Sequence, residues 1–311
     1  MPSEFELIRR YFARPAPGAL LGVGDDAALV KPAAGRELAV STDLLVEGRH
    51  FRAGADARKL GHKALAVNLS DMAAMGASPR WATLALALPE ANEAWLASFA
   101  EGFYALAARF GVDLVGGDTT RGPASSPLAI GVTILGEVAA GRALRRSGAA
   151  PGDDVWVSGE LGGAALGLAH PEIAAAARRL DEPEPRVALG ERLLGLASAA
   201  IDVSDGFAQD LGHILEASGV GAVVEMELLP SSADVRKKKA HRRLILSGGD
   251  DYELVFTAEK KRREALAAVS KELGLPLARV GVIEKGNPIL TVIDRNRKPV
   301  PIERGFDHFA A

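Results

Sequence analysis

Along the chain, segments with apolar residues three or four apart alternate with short runs in which apolar positions are contiguous or every second one. These are the two periods of amphipathic helices and of buried strands. Residues 3–11 predict a short helix, ended by the Pro15/Pro17 segment. Residues 57–75 have helical spacing, with Leu60, Ala64, Val67 and Met75 inward, and 93–110 form an amphipathic helix with Gly111 as its C-cap. Strands are predicted over 37–40, 81–88, 112–115, 128–138, 154–157, 222–228 and 254–257, and further helices over 186–199, 207–217 and 259–273. The stretch 141–153, rich in Gly, Arg, Ala and Pro, reads as a boundary, giving domains 1–140 and 141–311.

Polar residues collect where the apolar strands end. Gly22-Val-Gly-Asp25-Asp26 is a glycine turn, and Ser41-Thr42-Asp43 opens from the strand at 37–40. Gly116-Gly117-Asp118-Thr-Thr-Arg121-Gly122 follows 112–115 as a loop, and Ile201-Asp202-Val-Ser204-Asp205-Gly206 repeats the pattern. Asp71 lies inside the helix 57–75, one turn after Asn68 on the same face. Taken singly, each is more commonly a solvated turn, a helix cap or an exposed helix acid. Together Asp25, Asp26, Asp43, Asp71, Asp118, Asp202 and Asp205 describe an oxygen-rich site at one end of a sheet, where α/β proteins bind ligands. Carboxylates brought that close repel by on the order of several kcal/mol unless cations lie between them. Oxygen-only ligands point to Mg²⁺ or Mn²⁺, and Mg²⁺ shares its shell with water and phosphate, so the chemistry suggested is phosphoryl transfer from a nucleotide. The Gly159-to-Gly163 loop resembles a phosphate cradle but lacks the Gly-Lys-Ser/Thr of a P-loop. Ser247-Gly-Gly-Asp250-Asp251-Tyr252-Glu253 leads into the strand 254–257, and the basic run around Lys237 to Lys239 reads as a solvated face.

Composition narrows the partners. The 311 residues are 48% hydrophobic and 25% charged, enough for two domains with separate cores, and only 5% aromatic, so the cores are built from small aliphatics. A net charge of −3 offers no field for nucleic acid or an anionic membrane. With no cysteine there is no disulfide, thiolate zinc site or cysteine nucleophile. No apolar run approaches a membrane span and residues 1–12 lack the core of a signal peptide, so a cytoplasmic location is expected.

Six motifs resemble the thiamine-monophosphate kinase family: Gly-Val-Gly-Asp-Asp-Ala from Gly22, Ser-Thr-Asp from Ser41, and Val-Asn-Leu-Ser-Asp-Met-Ala-Ala-Met-Gly-Ala from Val67. The others are Gly-Gly-Asp-Thr-Thr-Arg-Gly from Gly116, Ile-Asp-Val-Ser-Asp-Gly from Ile201 and Ser-Gly-Gly-Asp-Asp-Tyr-Glu-Leu from Ser247. They stand in that family's order and, with the closing segment, span Gly22 to Phe309. The resemblance implies transfer of the ATP γ-phosphoryl group to thiamine monophosphate, the final step in making thiamine diphosphate. It implies an α/β (α+β), two-domain aminoimidazole ribonucleotide synthetase-like fold: an N-terminal dimerising mixed sheet or half-barrel that binds ATP and metal, plus a C-terminal α/β domain completing the site. A homodimer is implied as well. The resemblance places several Mg²⁺ ions, with Mn²⁺ an alternative, on Asp26, Ser41, Thr42, Asp43, Asp71, Asp118, Asp202 and Asp205. It places ATP near Phe110, Gly117, Asp118, Arg146 and Ser204, and thiamine phosphate near His50, Asp250 and Phe306. Asp43, Asp71 and Asp118 are then the metal-holding catalytic residues, with in-line attack and no side chain as proton acceptor. Two departures stand out. The family often has Glu where Asp250 stands, and its basic Arg-Pro segment is acidic here around Asp181 to Arg186. Rival readings are a related synthetase activating an amide or selenide, of which the selenide type typically needs a Cys or selenocysteine, and a non-catalytic nucleotide binder, which need not keep every metal position.

Overall fold

The computed structural model describes residues 3–123, 126–303 and 305. The chain divides into two compact units: the first runs to Gly141 except for Ala73–Gly76, which groups with the second, Arg142 onward.

In the first unit, α1 (Glu4–Tyr11) begins with a capping box, the Ser3 hydroxyl accepting from the Glu6 N–H while the Glu6 carboxylate accepts from the Ser3 N–H. Strands β1 (Arg36–Val46), β2 (Ser78–Leu88), β3 (Asp113–Arg121) and β4 (Ala129–Ala139) form one mixed sheet in the order β1-β4-β2-β3. Only the β2–β3 pair is parallel. Helices α2 (Ala57–Met75) and α3 (Glu93–Phe110) link β1 to β2 and β2 to β3. Buried Ala64, Leu65, Leu69 and Met72 of α2, and Leu96, Phe99, Phe103 and Leu106 of α3, supply this unit's core together with Leu84, Leu86, Ile130, Val132 and Ile134 of the sheet. The two helices cross on glycine: a Cβ at Gly61 would stand 2.1 Å from the Phe99 carbonyl oxygen, and one at Gly102 1.8 Å from that of Arg58.

Two strands run on through residues that the sequence reads as strand ends or loops. β1 carries on through Ser41, Thr42 and Asp43, each paired across to β4. The glycine pair that reads as a loop, Gly116-Gly117, lies inside β3. A Cβ on Gly117 would stand 1.9 Å from the Leu84 carbonyl oxygen, so glycine here lets β3 close against β2, just past a register shift at Ala82/Thr83.

The second unit holds a six-stranded sheet of β5 (Asp154–Ser158), β6 (Ala199–Asp202), β7 (Gly221–Glu225), β8 (Leu254–Ala258), β9 (Leu277–Glu284) and β10 (Leu290–Ile293), in the order β10-β7-β9-β5-β8-β6. Its helices are α4 (Gly163–Ala169), α5 (Ala174–Asp181), α6 (Val187–Leu193), α7 (Phe207–Ser218), α8 (Ala233–Arg236), α9 (His241–Ser247) and α10 (Arg263–Leu273). Val155, Val157, Ile201, Val255 and Val280 of the sheet join Phe207, Leu211 and Ile214 of α7 in one aliphatic core. α6 stops well short of the predicted 199, because Leu194 turns extended and Gly195 takes φ +76°. The predicted strand 222–228 gives way after Glu225 to a turn of 3₁₀ helix, and the basic run at Lys237 to Lys239 is a turn after α8 with Lys237 and Lys239 exposed. Among the described residues no helix is long and apolar enough to cross a membrane.

Candidate active site

In the first unit the acidic residues are sorted by the pleat of β1. Alternation sends Ser41 and Asp43 to the face covered by α2 and Thr42 to the other. The Ser41 hydroxyl donates to Asp71 Oδ2 of α2 at 2.5 Å, bridging strand and helix. Burial, and then the charge of Asp71, push Asp43 up to about 7. Thr42 Oγ1 instead lies 2.8 Å from Thr133 Oγ1 of β4 on the open face. Asp71 is thus no solvated helix acid; it faces the sheet at the strand carrying Asp43.

The other positions of this unit are spread more widely. Asp118 is exposed on the edge strand β3, in a hollow lined also by Ile8, Phe12, Val23 and Gly117. Asp26 is exposed in a turn, its N–H donated to Asp25 Oδ1 at 2.9 Å. His50 Nδ1 accepts the Val46 N–H at 3.0 Å, which holds the ring against the end of β1. Phe110 ends α3 with the Arg109 guanidinium 5.3 Å from its ring centre. Among the described residues no three His, Cys, Asp or Glu side chains converge to hold a metal by themselves. The acids close together here are Asp43 and Asp71. Two carboxylates and a hydroxyl, with one acid resisting ionisation beside the other, form a donor set that suits a hard divalent cation whose remaining ligands are water and phosphate.

In the second unit three loops meet at one end of the sheet, because β5, β6 and β8 are antiparallel neighbours whose ends there coincide. Asp202 ends β6 and is buried; Ser204 and Asp205 follow in the turn to α7. That turn is gathered by a residue the sequence reading passes over. Asp210, in the first turn of α7, accepts the N–H groups of Ser204, Asp205 and Gly206 at 3.0–3.1 Å. Burial and the nearby Asp205 push it up to about 7 despite those donors. Its only signal in the sequence is an acid four residues past the glycine that precedes the helix. The segment 247–253 packs beside this turn, the Asp250 N–H donating to the Ser204 carbonyl and the Tyr252 N–H to that of Val203, both at 2.9 Å.

The third loop, Gly159 to Gly163, is a cradle already filled. Asp251 accepts the Gly162 N–H at 2.5 Å and the Ala164 N–H at 3.2 Å, so the protein's own carboxylate takes the place a phosphate would have. Burial drives Asp251 up to about 7. Fully buried Glu253 accepts from Ser158, Arg179 and Arg186, so Arg186, at the edge of the acidic 181–186 stretch, is turned inward to a salt bridge of 2.6 Å. Arg146 is exposed, on a segment whose Arg145 carbonyl accepts the Ala200 N–H along the open edge of β6. Phe306 lies outside the described residues.

Comparison with known proteins gives this geometry a family. Residues 24–138 match the family model of the AIR synthase related protein N-terminal domain, and 150–293 that of the C-terminal domain. The thiamine-monophosphate kinase of Escherichia coli (strain K12) is 45% identical over 99% of this chain and 98% of its own length. The crystal structure of thiamine-monophosphate kinase from Stenotrophomonas maltophilia K279a superposes with a TM-score of 0.83 at 46% identity, covering 93% of this chain and 94% of that one. AaThiL complexed with AMPPCP and TMP superposes at 0.79 and 30% identity, covering 98% and 96%. With end-to-end matches of this strength and both AIR synthase related domains in order, the chain belongs to the thiamine-monophosphate kinase family of enzymes.

Proposed function

We propose that this chain moves the γ-phosphoryl group of ATP onto thiamine monophosphate by direct in-line transfer, releasing thiamine diphosphate and ADP. The observation that carries the reading is the Ser41–Asp43–Asp71 group beneath α2, in a chain that aligns end to end with thiamine-monophosphate kinases and with a structure complexed with AMPPCP and TMP. An oxygen of the substrate phosphate forms the new bond to the γ-phosphorus while the bond to the β–γ bridging oxygen breaks. That oxygen is already ionised near neutral pH, so no side chain has a proton to take. The protein's part is to position the two phosphates and to offset their mutual repulsion.

Asp43, Asp71 and Asp118 would hold Mg²⁺, with Asp26, Ser41, Thr42, Asp202 and Asp205 as further ligands; bound Mg²⁺ supplies charge neutralisation along the phosphates. Phe110, Gly117, Asp118, Arg146 and Ser204 would meet ATP, and His50, Asp250 and Phe306 the thiamine phosphate. Residues 1–140 would carry the metal and nucleotide and the dimer contact, with 141–311 completing the site, in a cytoplasmic homodimer. Phosphorus NMR of the protein with ATP, Mg²⁺ and thiamine monophosphate tests the activity. Loss of the monophosphate signal with growth of a diphosphate ester and ADP is expected; orthophosphate and ADP with the monophosphate untouched would contradict it.

A further inference from the structure

We infer that Tyr252 is the positioning residue for Asp250, aiming its carboxylate at the cationic, amine-bearing ring end of the phosphorylated substrate; the inference rests on reading Asp250 as a substrate contact. Asp250 and Tyr252 stand at φ +65° and +51°, on either side of Asp251, in a region that residues with side chains seldom occupy. Such strain persists where the surroundings over-determine it, and here they do. Main-chain bonds tie Asp250 to Ser204 and Tyr252 to Val203, while Asp251 is held in the Gly162–Ala164 cradle and Glu253 by Arg179 and Arg186.

The pair of left-handed residues brings their two side chains together. Tyr252 Oη donates to Asp250 Oδ1 at 3.0 Å, with the tyrosine only 8% exposed and the aspartate half-buried. A buried ring has almost no freedom to follow the carboxylate, so the hydroxyl fixes which way the carboxylate faces. A glutamate at 250 would carry its carboxylate one methylene farther along and leave the tyrosine hydroxyl behind. Thiamine monophosphate carries a thiazolium and an aminopyrimidine at the end remote from its phosphate, and an oriented carboxylate suits both a cation and an amine donor.

Steady-state kinetics of full-length Tyr252→Phe and Asp250→Asn, each with ATP and thiamine monophosphate varied in turn, test the assignment. For Tyr252→Phe a roughly tenfold to hundredfold rise in KM for thiamine monophosphate is expected, the scale of one hydrogen bond to a charged group. Its kcat, KM for ATP and melting temperature should stay close to wild type, and the double variant should be no worse than Asp250→Asn alone. If Asp250→Asn raises that KM while Tyr252→Phe stays within twofold of wild type, Tyr252 is only a core aromatic and the inference fails. If Asp250→Asn leaves it unchanged, the substrate role of Asp250 fails and the inference with it. Asp250→Glu reads the same contact from the other side should Tyr252→Phe fold poorly; the same KM rise supports the inference and an unchanged KM overturns it.

Discussion

Two carboxylates facing each other between a strand and a helix destabilise the fold unless a cation comes between them. Asp43, pushed up to about 7 by burial and by Asp71, shows that tension. The folded protein therefore prefers Asp43 protonated: its stabilising share is complete below the ordinary carboxylate pKa and is lost as pH rises through about 7. The Mg²⁺ proposed above would bind the ionised form, so its uptake at pH 6 to 6.5 should expel a proton, with the release fading above about 7. Titration calorimetry in buffers of different ionisation enthalpy reads this, and Mg²⁺ binding at pH 6 without proton release would contradict it. Asp71→Asn removes one like charge and keeps the side chain's size, so folding should be unchanged or slightly firmer. Turnover should fall a hundredfold or more, about 3 kcal/mol of transition-state stabilisation, since each ~1.4 kcal/mol is tenfold. Melting temperature and turnover on one preparation test this; turnover within threefold of wild type at saturating Mg²⁺ would make Asp71 a structural residue only. The residue types at 41–43 and 71 were legible in the sequence as oxygen donors. Their facing was not, because a reading of 41–43 as a strand end ignores the alternation that turns Thr42 away once β1 continues.

At the scale of elements, the long helices with clear period were legible, α3 with its C-cap Gly111 above all. Glycine was the harder residue to interpret. Gly117 marks a close approach of two strands rather than a turn, and only the Leu84 carbonyl opposite reveals it. The Gly159–Gly163 loop and the turn before α7 are both organised by acids distant or inconspicuous in sequence, Asp251 and Asp210, each accepting backbone N–H groups. No local pattern announces that Asp251 will sit under Gly162, since the pairing exists only once β5 and β8 are side by side. Because burial raises Asp251 to about 7, its stabilising contribution is full below about pH 4 and lost as pH rises through about 7. Denaturant midpoints between pH 4 and 8 should therefore decline with pH, and Asp251→Asn, which cannot ionise, should decline less. Parallel curves for the two proteins would show that Asp251 does not titrate in this window.

In the molecule as a whole, the chain passes from one compact unit to the other after Gly141. Residues 73–76 joining the second unit were not foreseeable, since they belong to a continuous helical pattern. The face of β1 away from α2 is unusually apolar for an edge strand, with Leu38 39%, Val40 60% and Leu44 58% exposed. Apolar edge strands of this kind are normally covered, and a second copy of the chain is the cover proposed. Light scattering at micromolar concentration should give a dimer mass, and Val40→Asp should shift it toward the monomer; a monomeric, fully active wild type would rule the dimer out. The central claim, a single direct transfer with no group on the protein carrying the phosphoryl, is tested most directly by stereochemistry at phosphorus. ATP made chiral at the γ-phosphorus with oxygen isotopes should yield thiamine diphosphate inverted at the transferred phosphorus. Retention would mean two successive displacements through a phosphorylated side chain, and would contradict the account.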